Sequence, residues 1–174
     1  LAENIDKARD DEKQQEEKNT VDKIKQRNLD AAHALWEDVN VKMKIAIAKN
    51  KEGLDFENAT FHTRAQKSYK AAIALFRQML AELDDIETLC KTHDYVAEKY
   101  LKNDAEGFNV EKTRVKTTKK LINTLLNSAS LYLSDNLFAH SRRMCNEILK
   151  IDDDNKEAIK LKTEIMRRES AQRR

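Results

Sequence analysis

Apolar residues recur every three or four positions along most of the chain, which is the spacing of one face of an α-helix. One stripe keeps a heptad spacing and consists of Ala65, Tyr69, Ala72, Phe76, Met79, Leu83, Ile86 and Cys90. An earlier stripe consists of Leu29, Ala32, Trp36, Val39, Met43 and Ala46. The two stripes predict a pair of long helices that pack against each other as an antiparallel hairpin.

Short polar segments predict where these helices end. We expect the first helix to break at Gly53, within residues 49–58, and the next break to fall at residues 103–109, around Gly107. Three further helices should follow, the second from about residue 137 to 150 and the third from about 156 to 168. Asp135 or Asn136 is expected to cap the second of these helices.

The outer helices should bury one face each. The third helix carries the apolar residues Val115, Ile122, Leu125, Ala129 and Tyr132. The last helix carries Ala158, Ile159, Leu161, Ile165 and Met166, all predicted to lie on its packing side. Placed after a helical hairpin, the last helix is expected to cover the end of the stack.

The absence of proline and the presence of only two glycines favour long helices with few interruptions. Strand-like alternation is also missing. The sequence therefore predicts an all-α fold of stacked antiparallel hairpins, with a long N-terminal helix and a C-terminal capping helix. Residues 9–20 contain no apolar side chain, so residues 1–20 should form a polar arm or a solvated helix, and residues 21–174 the helical domain.

Charge and composition narrow the classes of function. The 33 basic and 31 acidic residues are interleaved and give a net charge of +2, which is not the strongly basic balance of a nucleic-acid-binding protein. The longest apolar runs are only a few residues, too short to span a bilayer. We expect a cytoplasmic protein, with the periplasm as the alternative.

The residues that carry chemistry do not form a recognisable site. Cys90 and His93 have the spacing of half a zinc site, but no second pair follows, and a structural zinc needs four ligands. Two isolated glycines cannot form a phosphate-binding loop. Ser141 is only a sequence neighbour of His140. We therefore predict a protein that is not an enzyme, with no metal, no cofactor and no small-molecule substrate.

One segment carries a more specific pattern. Residues 127–158 place small residues and aromatic residues at the intervals of a helix-turn-helix repeat of about 34 residues, with Ala129, Tyr132, Asn136, Phe138, Ser141 and Cys145 among them. This segment resembles the tetratricopeptide repeats of co-chaperones, particularly the immunophilin type. A weaker first repeat resembles the same pattern from Asn58 and Phe61 onward. The resemblance implies a groove that binds a peptide or another protein.

The resemblance also implies candidate binding residues. In the chaperone-binding members, lysines, an arginine and asparagines grip the carboxylate at the end of a peptide. Asn58 and Asn127 match two of the asparagines, whereas the basic positions fall on Leu54, Glu157 and Leu161. Lys156 and Lys160 lie one residue away from two of those positions. The candidate partner-binding residues are therefore Asn58, Asn127, Lys156 and Lys160, in a degenerate carboxylate clamp.

Three functions remain open from the sequence. The first is a protein-interaction scaffold or adaptor that holds a peptide or partner protein in a helical groove. The second is a structural module that self-associates through the heptad stripe from Ala65 to Cys90. The third is an adaptor of the bacterial periplasmic lipoprotein kind, since helical repeats with surfaces rich in lysine and asparagine also occur there.

Overall fold

The computed structural model describes residues 2–102 and 109–172. Most of the break predicted at residues 103–109, including Gly107, lies outside the described residues. The helices are α1 (Ala2–Asn58), α2 (His62–Thr92), α3 (Asp94–Ala97), α4 (Val110–Ser134), α5 (Phe138–Ile151) and α6 (Lys156–Gln172), and a π-helical turn (Glu98–Lys102) follows α3. The described residues contain no strand, so the prediction of an all-α fold is confirmed.

Helices α1 and α2 form the predicted antiparallel hairpin. The end of α1 contacts the start of α2, where the Tyr69 hydroxyl donates to Glu57 at 2.5 Å. The middle of α1 contacts the second half of α2, where Lys42 pairs with Glu82. Farther back on α1, Asn28 donates to the Tyr95 hydroxyl at 2.8 Å, just beyond the end of α2. All eight residues of the heptad stripe are buried. The stripe is therefore occupied within one chain and offers no free seam to a second copy.

The predicted helix break at Gly53 is wrong, because α1 continues through it to Asn58. Gly53 is buried, and a Cβ atom built on it would lie 2.4 Å from Cε1 of Tyr69. The position therefore needs a residue without a side chain, so that the Tyr69 ring can approach the α1 backbone. The chain reverses instead at residues 59–61, where Thr60 has a positive φ of 63°.

The remaining helices stack on this hairpin in chain order. Helix α4 runs antiparallel to α2, and the Gln66 side-chain amide donates to the Ser128 carbonyl at 3.0 Å inside the contact. Helix α5 returns along α4, where the Ser141 hydroxyl donates to the Ala129 carbonyl at 2.8 Å. Helix α6 packs on α5 and contacts α4, so it lies at the end of the stack as predicted.

Two local expectations about the outer helices are wrong. Neither Asp135 nor Asn136 caps α5, because the residue that precedes this helix is Leu137, which makes no side-chain cap. Asn136 instead adopts a positive φ of 59°, which asparagine tolerates better than most residues and which the turn requires. Ile159 and Met166 are exposed, so the packing side of α6 is narrower than its apolar pattern and consists mainly of Ala158 and Ile165.

The N-terminal part of α1 extends beyond the stack. Side chains from residue 10 to residue 27 are all exposed, and burial begins only at Asn28 and Leu29. This segment, called here the N-terminal arm (residues 10–27), is helical. Residues 1–20 were predicted to form either a polar arm or a solvated helix. Residues 2–20, the part that the structure describes, are helical.

Candidate functional site

An open groove lies between α4, the turn at residues 152–155 and the start of α6. Its volume is about 680 Å³. The apolar side chains of its floor are Val115, Ile122, Leu126 and Ile151. Polar and charged side chains form its rim, and they include Arg114, Lys119, Asn155, Lys156 and Glu157. This surface is called the C-terminal groove.

A smaller depression of about 320 Å³ continues the groove along α4 and α6. It shares Leu126 and Glu157 with the larger part, so the two form one continuous surface. Asn127 of α4 and Lys160 of α6 both line this depression. An extended or helical segment of a partner could therefore contact both parts at once.

Side-chain caps fix the helices that border the groove. The Asn155 side-chain oxygen accepts a hydrogen bond from the Ala158 backbone amide at 3.0 Å, and its amide donates to Asp152 at 2.9 Å. The Asn109 side chain accepts from the Lys112 amide at 2.9 Å and caps α4 in the same way. Because unsatisfied amides at helix starts are costly, these caps determine where α6 and α4 begin.

Basic side chains without an ion pair lie around the groove. Lys119, Lys156 and Lys160 form no salt bridge among the residues that the structure describes. Arg114 differs, because its guanidinium pairs with Asp84 at 2.5 Å and with Glu87 at 2.8 Å. These three lysines can therefore meet acidic groups of a partner without first breaking a contact within the chain.

The acid at the far end of the groove is neutralised within α6. Glu164 accepts hydrogen bonds from Arg167 and Arg168, each at 2.7 Å. These guanidinium groups lower the pKa of Glu164 to about 2. Glu164 is thus ionised but already paired, and Asp152 and Glu157 are the acids of the lining that remain beside the lysines.

Three of the four residues predicted from the resemblance come together in this region. Asn127 and Lys160 line the small depression, and Lys156 lines the larger part of the groove. The positions at which the clamp would need basic residues, Glu157 and Leu161, line the same depression. The lysines are therefore near neighbours of the clamp positions, although they project from α6 in other directions.

Asn58 does not join this group. It is the last residue of α1 and is exposed, and it lines none of the grooves described for the chain. Asn58 does not cap the start of a helix either, because it is the residue at which α1 ends. Phe61, its companion in the expected first repeat, lies in the connection before α2 rather than in a helix and is 53% exposed.

Sequence reasoning missed several residues of the groove. Val115 was expected to pack in the core and is 65% exposed, and Ile151 was not singled out although it is 44% exposed. Asn50 of α1, which does not line the groove, supports it from outside: its side-chain oxygen accepts from the Asn127 amide at 3.4 Å. The sequence gives little indication of these residues, because an apolar residue at the end of a helical stripe has the same spacing whether it is buried or exposed.

The groups considered for catalysis or metal binding have structural roles. The Asn28 side-chain amide lies 3.1 Å from Nε2 of His93, so this histidine, the partner of Cys90 in the half zinc motif, connects α1 to the end of α2. Burial raises the pKa of the thiols of Cys90 and Cys145, which keeps both protonated. In the described ranges, no three His, Cys, Asp or Glu side chains lie close enough to hold a metal ion.

Two searches give no positive result: one for membrane-spanning helices and one for similar known proteins. Of the described helices, none is both long enough and apolar enough to cross a bilayer. No protein-family model, curated protein or solved structure matched this chain.

Proposed function

We propose that the protein is a non-catalytic interaction module that holds a segment of a partner protein in the C-terminal groove. One observation carries the proposal: an apolar floor lies open to solvent in a groove of about 680 Å³. Val115 and Ile151 leave 65% and 44% of their surface exposed there. Apolar side chains gathered in a concave surface with a polar rim are typical of sites that bind peptides.

The polar groups of the groove support a protein segment as the ligand. Asn127 and Lys160 project into the small depression beside the apolar floor. An amide and an ammonium group can satisfy carbonyl and carboxylate oxygens of a bound chain, which are otherwise costly to bury. We expect apolar side chains of the partner to contact the floor, and its backbone or acidic side chains to contact this rim.

We infer in addition that α4, α5 and α6 form a tetratricopeptide-like unit. Small residues at the helix crossings support this inference, because Ala129, Ser141, Cys145 and Ala158 are all fully buried. Such residues allow helices to approach closely. Glu157 and Leu161 occupy clamp positions without a positive charge, so we expect recognition of an internal segment rather than the carboxylate at the end of a chaperone tail.

The experiment that tests the function uses a display library of peptides from natural proteins. Selection against the intact protein should yield peptides whose binding is lost in Val115→Asp and in Ile151→Asp. Each substitution places a charge on the apolar floor, and both residues are exposed, so folding should be retained. Circular dichroism and thermal unfolding of each variant would check that expectation.

Val41→Asp provides the matched control. Val41 is 52% exposed on α1, where it lies outside the grooves described for the chain. Peptides that bind the C-terminal groove should bind this variant as tightly as the unchanged protein. Equal loss in all three variants, or selected peptides that tolerate both groove substitutions, would contradict the proposal.

A further inference from the structure

No other part of the described chain covers the N-terminal arm. From residue 10 to residue 27 every side chain is exposed, including Val21 at 50% and Ile24 at 54%. At 1.5 Å per residue this segment is about 27 Å long. It is continuous with the packed part of α1, which is held at Asn28 by contacts to His93 and Tyr95.

One face of the arm has the composition of a docking helix. Asp10, Gln14, Glu17, Val21 and Ile24 follow each other at alternating intervals of four and three residues. Residues at these intervals share one side of a helix. The same side continues into the face that packs on α2, because Asn28 is the next residue of the series. The arm therefore extends an established packing face, with acidic groups at its outer end and two apolar groups near the body.

Opposite charges distinguish the arm from the groove. Residues 10–20 contain five acidic residues and two lysines, a net charge of −3. The C-terminal groove is lined by Lys119, Lys156 and Lys160, which form no salt bridge with another described residue, and by the acids Asp152 and Glu157. None of the acidic side chains in residues 10–20 forms an ion pair with another described residue. The acids of the arm and these three lysines of the groove therefore carry charge that is available to a partner.

We propose that the N-terminal arm of one copy of this chain lies in the C-terminal groove of a second copy. Val21 and Ile24 contact the apolar floor, and Asp10 and Glu17 lie near Lys119 and Lys156. This inference rests on the proposed function, because it assigns an occupant to the same groove. The occupant is an acidic amphipathic helix.

The contact must form between copies rather than within one chain. Helix α1 is unbroken from Ala2 to Asn58, so the arm could reach its own groove only if the helix broke. Helices α4, α5 and α6 and the turn between α5 and α6 line the groove, and no residue of α1 contributes to its lining. Two copies that exchange arms bury two identical contacts and form a closed dimer.

Sedimentation equilibrium of the full chain tests the proposal at about 0.05 M and about 0.5 M salt. We expect a dimer at low salt that weakens at high salt, because the charges on both surfaces are exposed. The arm variant Asp10→Lys/Glu17→Lys should weaken dimerisation roughly tenfold, since attraction becomes repulsion at two pairs. The groove variant Lys119→Glu/Lys156→Glu should weaken it equally.

Two further variants make the test specific. Glu12→Lys/Glu16→Lys changes the net charge of the arm by the same amount on the opposite side of the helix, and it should dimerise like the unchanged protein. The arm and groove variants combined in one chain should recover dimerisation, because the charges are exchanged rather than lost.

Three results would overturn the inference: a monomer at low salt throughout the micromolar range, equal weakening by Glu12→Lys/Glu16→Lys, or no recovery in the combined variant. None of these results would affect the proposed function. Peptide selection against Val115→Asp and Ile151→Asp tests the groove independently of the arm, so the two failures can be told apart.

Discussion

Apolar residues are buried in the α1–α2 hairpin, whereas similar apolar residues are exposed in the C-terminal groove. In the hairpin, Trp36 and Phe76 are 3% and 1% exposed, because the apolar stripes of α1 and α2 pack against each other. In the groove, Val115 and Ile151 belong to helices of the same fold yet remain open to solvent. The difference lies in what faces each stripe: a second helix covers the hairpin stripes, whereas none of the described helices covers the groove.

This comparison separates stability from recognition. The hairpin contains most of the main hydrophobic core and should account for most of the free energy of unfolding. The groove contributes little burial, so its residues can change with little effect on folding. Substitutions in the two regions should therefore have opposite effects on unfolding and on binding.

The largest expected effect is on Phe76→Ala in the hairpin. Removal of a buried phenylalanine ring should lower the free energy of unfolding by about 3–5 kcal/mol. Val115→Ala in the groove should change it by less than about 0.5 kcal/mol, because Val115 is exposed. Urea denaturation followed by circular dichroism measures both. Similar losses in the two variants would remove the distinction between the regions.

A smaller loss is expected for Gly53→Ala. Helix propensity alone predicts that alanine stabilises a helix interior by about 1 kcal/mol. The new methyl group would meet the buried Tyr69 ring, so we expect a net loss of about 1–2 kcal/mol instead. Urea denaturation of the Gly53→Ala variant shows whether the free energy of unfolding rises, as helix propensity predicts, or falls, as the contact with Tyr69 predicts. In a Tyr69→Leu background the same substitution should become neutral or stabilising, and a persistent loss there would point to another cause.

The cap of α6 gives a prediction at the border of the groove. Asn155→Ala removes the side-chain acceptor of the Ala158 amide and should cost about 1 kcal/mol of unfolding free energy. Asn155→Ser retains an acceptor at the helix start without placing a second carboxylate beside Asp152, and it should restore most of the loss. Hydrogen exchange should show faster opening in the first turn of α6 in the alanine variant. Unchanged exchange in this turn would show that the cap is not needed.

The thiols provide the smallest effect, which is an absence of reaction. Burial raises the pKa of Cys90 and Cys145, so at pH 8 both should be protonated in the folded chain. A thiol reagent such as Ellman's reagent should then react slowly with the folded protein and rapidly in urea, because the thiolate is the reactive form. Rapid reaction of one thiol without urea would show that its helix opens locally.

Sequence periodicity predicts the helices well because burial of one helix face is a repeated, local requirement. The heptad stripe from Ala65 to Cys90 identified α2, and the stripe from Leu29 to Ala46 identified the part of α1 against which it packs. Gly53 misled the prediction because a glycine in sequence does not reveal the ring beside it. Whether it breaks a helix or admits Tyr69 depends on contacts between distant residues.

The candidate site was predicted less completely than the fold. Asn127, Lys156 and Lys160 lie in one region because α4 and α6 both border the C-terminal groove. Asn58 lies apart from them because it is the exposed last residue of α1. The exposure of Val115 depends on whether another helix packs over it, and the local sequence around Val115 does not specify this.

Mapping of a bound peptide by amide NMR tests the central claim most directly. A peptide selected against the unchanged protein would be titrated into the labelled full chain. We predict that the shifted amides concentrate at residues 115–127 of α4 and at residues 151–161 around the start of α6. Shifts concentrated along α1, with the amides of those two segments unchanged, would contradict the assignment of the C-terminal groove as the binding site.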